Sequence, residues 1–216
     1  MLIFQYFLVL IVVTLLWAQA QDCKVNNGVT NPNPNPDTVS PELYTISMQT
    51  NIPDSEPIVI EVVRKWAPLG ADRFYSLVQD GFYNTAGFFR VVPDFVAQFG
   101  ISGLPEETAK WNTAIPDDPV LAKNIMGTVT FATAGPNTRT TQLFINYVDN
   151  TSLDAQGFAP FGKVLSGWNT VLAIYNPTPD SSNGVSQAVY TKKGNDWLLQ
   201  SYPNTTLINC ATIIKN

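Results

Sequence analysis

The sequence predicts a mainly β fold, a closed sheet capped by helices. Short apolar runs of strand length recur along the chain while only two segments carry a helical pattern, which favours a sheet that buries its own edges over a βαβ layer. The 216 residues, 45% of them hydrophobic, suffice for one sizeable core and one domain.

Tyr44, Ile46 and Met48 alternate with Thr45, Ser47 and Gln49, so Glu42 to Gln49 has the period of a half-buried strand. Ile58 to Val63 is its hairpin partner across the turn near Pro53. Pro68 fits a first helical turn, Leu69, Phe74, Leu77 and Val78 share a face, and Gly81 can close that helix. Further strands are expected at Phe88–Val92, Val96–Phe99, Thr128–Thr133, Leu143–Tyr147, Phe161–Val164 and Leu207–Ile213. A second helix is expected from Gly167 to Tyr175, stopped by Pro177 and Pro179.

Ahead of these elements, Asn-Pro-Asn-Pro-Asn-Pro at 31 to 36 favours an extended tether. Leu2 to Trp17 is almost wholly apolar, and Ala18-Gln19-Ala20 has the small-x-small pattern of a signal-peptidase site, although no Lys or Arg precedes the run. The expected organisation is a signal peptide at 1–20, a Pro- and Asn-rich linker at 21–41 and a folded domain at 42–216. Such a protein would be secreted or reside in the secretory lumen, without membrane contact once the signal is removed. An uncleaved anchor is the alternative, since the run falls slightly short of the roughly 20 apolar residues of a span. In an oxidising compartment Cys23 and Cys210 are expected to form one disulfide, stabilising the fold by about 5 kcal/mol in the chain-entropy model. Two unpaired thiols are the alternative. Asn150-Thr151-Ser152 and Asn204-Thr205-Thr206 are glycosylation sequons.

A net charge of -5 argues against non-specific binding of nucleic acid or anionic membranes. The chain has no histidine, which removes the usual general base, the Ser-His-Asp and Cys-His arrangements and imidazole zinc sites. Glu106-Glu107 and Asp117-Asp118 sit in loop-like sequence and are expected to be solvated turns, so neither a metal nor a cofactor is implied.

Between Phe88 and Gly100 a hydrophobic run is interrupted by Arg90 and Gln98. A guanidinium there is costly unless paired or hydrogen-bonded. Taken alone, Arg90 is better explained as half of a structural salt bridge. With no nucleophile and no base titrating near neutrality, however, one cation, amides and apolar side chains suit rotation about an X-Pro bond. That barrier of roughly 20 kcal/mol comes from amide resonance and needs no covalent step to lower. Arg90 would donate to the prolyl nitrogen of the twisted amide, an apolar pocket would hold the ring, and Gln98 would fix the guanidinium or grip the substrate backbone.

Phe89 to Gln98, Gly127 to Thr138, Gln142 to Ile145, Leu153-Asp154 and Phe161 to Val164 come in the order, and near the spacing, of one family. From about Leu43 to Ile213 the chain resembles a cyclophilin-type peptidyl-prolyl cis-trans isomerase. The resemblance implies a closed eight-stranded antiparallel β-barrel capped by two α-helices, and a folding enzyme acting on proline-containing polypeptides; a monomer is expected. It implies catalytic roles for Arg90, Phe95 and Gln98. Phe95, Val96, Phe144 and Leu153 would surround the proline, and Ala132, Thr133, Ala134 and Gln142 would line the groove for the residues before it. Thr138 to Gln142 and Leu153 to Phe161 look like a branch also met in bacteria and some lower eukaryotes.

Departures from the family pattern are Phe89 for a common His, Val96 for Met and Thr133 for Asn. The family's pocket His falls near Gln156 to Pro160, at Phe158 or Ala159. Ser152 replaces a Trp whose indole contributes to cyclosporin binding in the family, so affinity for cyclosporin-type ligands is expected to be weak. A cyclophilin-fold module that binds proline peptides with little turnover is the alternative function; the retained Arg90 and Gln98 favour the enzyme.

Overall fold

The computed structural model describes residues 38–214, so the signal segment, most of the linker and Cys23 lie outside the described residues. The alternating apolar runs build eight strands in one sheet: β1 (Leu43–Thr50), β2 (Ile58–Val63), β3 (Arg90–Val92), β4 (Val96–Phe99), β5 (Thr128–Phe131), β6 (Leu143–Asn146), β7 (Pro160–Ser166) and β8 (Ile208–Ile214). Every pairing is antiparallel, in the order β3-β4-β6-β5-β7-β2-β1-β8. The hairpin expected across Pro53 forms, with Tyr44 opposite Val62 and Met48 opposite Ile58.

The ladder is a curled half-barrel, open where a closed barrel was expected. β3 is three residues long, and a loop occupies the edge that closure would need: the Val185 N–H donates to the Phe89 carbonyl at 2.9 Å. The edge strands β3 and β8 do not pair, but the segments just before them are linked by the bridge of Gly87 with Leu207, supported by Phe88 N–H to Thr206 O and Ile208 N–H to Ala86 O, both 2.9 Å.

The helices also differ from expectation. α1 (Pro68–Gln79) forms as predicted and buries Phe74, Leu77 and Val78, but Leu69 stays outside that face, 42% exposed. Gly81, with φ +72°, ends it, and the Phe82 N–H returns to the Leu77 carbonyl at 3.0 Å. α2 (Pro105–Lys110) was not expected. The predicted second helix shrinks to the short α3 (Trp168–Leu172), and the longer second helix is α4 (Gln187–Ser201). Lys192-Lys193-Gly194-Asn195-Asp196 hides any apolar period in α4, and the helix kinks at Gly194.

Asp118 is no solvated turn. Its carboxylate accepts the Leu69 and Gly70 N–H groups at 3.0 and 2.8 Å, capping α1 where the Ala67 methyl cannot accept a hydrogen bond, and Arg139 Nη1 donates to it at 3.0 Å. Glu107 is buried as well, 3.5 Å from Lys110 Nζ. The packed chain begins by Ser40, before the expected boundary at 42: its N–H and hydroxyl both donate to Asp72, at 2.9 and 2.8 Å. Cys210 is buried in β8.

Inside the curl, Phe161 packs on Phe74 and Phe131 with ring centroids 5.1 and 5.2 Å apart, among Ile46, Met48 and Ile60. Because strand side chains alternate, Val91, Ala97, Phe99, Leu143 and Ile145 join this core while their neighbours face outward. The outward face carries two cross-strand rows, Arg90-Gln98-Phe144-Thr130 and Val92-Val96-Asn146. The site grows from these rows.

Candidate active site

Arg90 opens the first row. Its Nε donates to the Ser182 carbonyl at 2.7 Å and its Nη1 to Gln98 Oε1 at 3.1 Å. The guanidinium carbon lies 5.7 Å from the centre of the Phe95 ring, a cation–π distance. Among the described residues no carboxylate pairs with Arg90, so the salt-bridge explanation fails. Partial burial pushes its pKa below the usual arginine range. Gln98, only 8% exposed, passes the order on: its Nε2 donates to Gln142 Oε1 at 2.9 Å, so the guanidinium dictates how both amides point.

Beside Arg90 a cavity of about 280 Å³ is walled by Phe95, Val96, Phe144, Leu153 and Phe158, with Gln98 and Arg90 at one side and Gln156 on the rim. Val96, Phe144 and Leu153 form a small apolar cluster of their own, against which Phe95, Ala132 and Phe158 pack. Phe158 stands edge-on to Phe144 at 5.8 Å and takes the position left open between Phe158 and Ala159, while Ala159 turns into the core. Ala132 and Thr133 join this cavity to a second of about 390 Å³, which Ala134, Gln142, Thr138 and Thr140 line from the loop after β5. The Thr133 hydroxyl donates to the Gly135 carbonyl within its own loop.

All ten residues predicted for catalysis or substrate binding therefore line one continuous cleft. Ser182, Asn112 and Gln187 were missed. Ser182 acts through its carbonyl, which leaves no trace in side-chain pattern; Asn183-Gly184 was the turn signal that could have drawn attention there. Phe89, in place of the family's His, packs with Val185, Ile101, Tyr190 and Leu198, so this departure anchors α4 behind the site.

Buried amides hold the pocket walls. Asn124 donates from its amide to Asp154 Oδ1 at 2.7 Å and to the Phe158 carbonyl at 2.8 Å, and its Oδ1 accepts from Thr130 Oγ1 at 2.8 Å. Asn150 Nδ2 donates to the Phe95 carbonyl at 3.0 Å and to Asn146 Oδ1 at 2.8 Å. Asn150, expected as a glycan acceptor, is only 9% exposed and has both its amide hydrogens engaged. Asn204 is exposed in a turn.

Among the described residues, the cleft sets a cation with a spare donor over an apolar slot, next to a polar groove, and no cysteine or histidine lines it. Residues 45–193 match the family model described as cyclophilin type peptidyl-prolyl cis-trans isomerase/CLD. A peptidyl-prolyl cis-trans isomerase of Acinetobacter baylyi is 37% identical over 152 residues, 67% of this chain and 78% of that protein. One from Schizosaccharomyces pombe is 35% identical over 148 residues, 65% of this chain and 91% of that protein. In fold, the chain is similar to the crystal structure of a Cryptosporidium parvum cyclophilin type isomerase, with TM-score 0.61 and 22% identity over 81% of this chain and 99% of that one. The same parasite protein has been solved in the presence of the dipeptide Ala-Pro, with TM-score 0.59, 22% identity and coverage of 80% and 99%. With the cleft, the half-barrel and the matched residues in agreement, the chain belongs to the cyclophilin-type peptidyl-prolyl cis-trans isomerases.

Proposed function

We propose that Arg90 lowers the barrier to X-Pro rotation by donating from Nη2 to the prolyl nitrogen as its lone pair leaves resonance, while Phe95, Val96, Phe144, Leu153 and Phe158 hold the pyrrolidine ring. What carries this is the unspent donor capacity of Arg90: Nε and Nη1 are committed to Ser182 and Gln98, and Nη2 has no hydrogen-bond partner among the described residues. Gln142, oriented by Gln98, and the backbone of Ala132 to Ala134 take the residues before the proline. A protease-coupled assay on an Ala-Pro peptide should show acceleration by the protein; none at micromolar enzyme overturns the proposal. The pH profile follows from the same parts. Arg90 is charged below its folded pKa, and the downward shift only lowers the upper limit of that range, which for arginine lies far above neutrality. kcat/KM should therefore be flat from about pH 6 to about pH 9, whereas a bell centred near neutrality would implicate another group.

The protein is a secreted or secretory-lumen enzyme of the branch with bacterial-like motifs, acting as a monomer on exposed proline-containing segments. Residues 1–20 are removed, and Cys23 joins Cys210. The apolar leader, the Ala-Gln-Ala site and the paired cysteine count support this. Ser152 is exposed on the 3-10 turn before Leu153 and offers no indole, which supports weak affinity for cyclosporin-type ligands. Made in a eukaryotic secretory host, the protein should begin at Gln21 and carry one glycan that Asn204→Gln abolishes. N-terminal sequencing that finds Met1, or a glycan surviving that substitution, would contradict this route.

A further inference from the structure

We infer that the Ser182 carbonyl is a positioning group for the reaction, clamped against β3 by Gly184 so that it fixes the plane of the Arg90 guanidinium. This rests on Arg90 being the donor to the prolyl nitrogen. A guanidinium tied only through Nη1 to Gln98 can still swing about its side-chain torsions. A second bond from Nε, on the opposite edge of the planar group, removes that freedom and sets where Nη2 points.

The clamp holds the chain just after the carbonyl. Gly184 has φ +73°, and a Cβ there would lie 2.5 Å from Arg90 Cβ and 2.6 Å from the Phe89 carbonyl oxygen, contacts with β3 that cannot yield without moving it. One residue on, the Val185 N–H bonds the Phe89 carbonyl at 2.9 Å, and its side chain, 2% exposed, is locked among Phe89, Ile101, Tyr190 and Leu198. The loop that blocks closure of the sheet is thereby the second wall of the arginine site.

Gly184→Ala should lower kcat about tenfold with KM changed by less than about twofold, since a small displacement of a donor weakens the transition state more than ground-state binding. In an Arg90→Lys background, which has no Nε to hold, Gly184→Ala should change the remaining activity less than about twofold. On the unaltered protein, the Arg90 Nε–H should give a slowly exchanging NMR signal with a coupling across the hydrogen bond to the Ser182 carbonyl carbon. This measurement decides the matter should the Gly184 variant not fold. A fast-exchanging Nε–H without that coupling, an unaffected Gly184→Ala enzyme, or equal losses in both backgrounds would overturn the inference. Full activity in Arg90→Lys alone would instead overturn the donor role of Arg90.

Discussion

Arg90→Ala is expected to reduce kcat/KM by about 10² to 10³-fold, the usual cost of deleting one preorganised donor from a site that works electrostatically. No other group can substitute. Among the described residues no lysine lines the cavity, Gln98 is held in reserve only as a partner of Arg90, and the chain contains no histidine. The loss should fall on kcat more than KM, because the apolar walls that hold the ring are untouched and the bond to the prolyl nitrogen strengthens only as the amide twists. Melting temperature should stay within a few degrees, because the hydrogen bonds removed are offset by relief of the burial that already depresses the arginine's pKa. The protease-coupled assay, run beside calorimetry, checks both; a loss below tenfold would return Arg90 to a structural role.

Asp118→Ala has the largest expected effect on stability, about 3 kcal/mol, seen as a fall in melting temperature of roughly 6 to 12 °C. The substitution strands three donors at once, two of them buried: the half-exposed Leu69 N–H and the buried Gly70 N–H that begin α1, and the buried Arg139 Nη1. Arg139 is only 3% exposed, so its charge stays buried. Asp117, 3.4 Å from Arg139 Nε and half-exposed, and the Pro116 carbonyl recover part of the loss, which keeps the effect at the lower end for a broken buried pair. Asp118→Asn should lose less, since an amide oxygen still caps one N–H. Arg139 stands between Thr138 and Thr140, which line the polar end of the cleft, so the Ala variant should also raise KM. Thermal melts showing less than about 1 kcal/mol of destabilisation would mean that the helix start is capped by water instead.

The parts of the fold legible in the sequence were those in which periodicity and burial coincide. Tyr44, Ile46 and Met48 alternate because one face of β1 lies on the core, and Val96 to Phe99 could be placed because β4 is buried on both faces. The matched family blocks assigned Arg90, Gln98 and Phe144 to one site, and the strand register sets them on a common row. What failed was information held elsewhere in the chain. α4 packs through Tyr190 and Leu198, too few contacts to print an apolar period on a segment full of Lys, Asn and Gly. Asp118 looked like a turn residue because the N–H groups it caps lie 48 and 49 residues away in sequence. A sequon likewise says nothing of where its amide points, and that of Asn150 points at the Phe95 carbonyl. Closure of the sheet was expected because edges are usually removed, whereas Val185 covers this edge with a loop.

The shortness of β3 carries one consequence more. Arg90 sits on a terminal strand with one neighbour, β4, and a loop in place of a second. Strands of that kind open before the rest of a sheet, at a free-energy cost well below that of global unfolding. Loosening of the loop's hold on Phe89 would therefore cost the donor while the aromatic interior stays intact, so activity should fade on heating before the core melts.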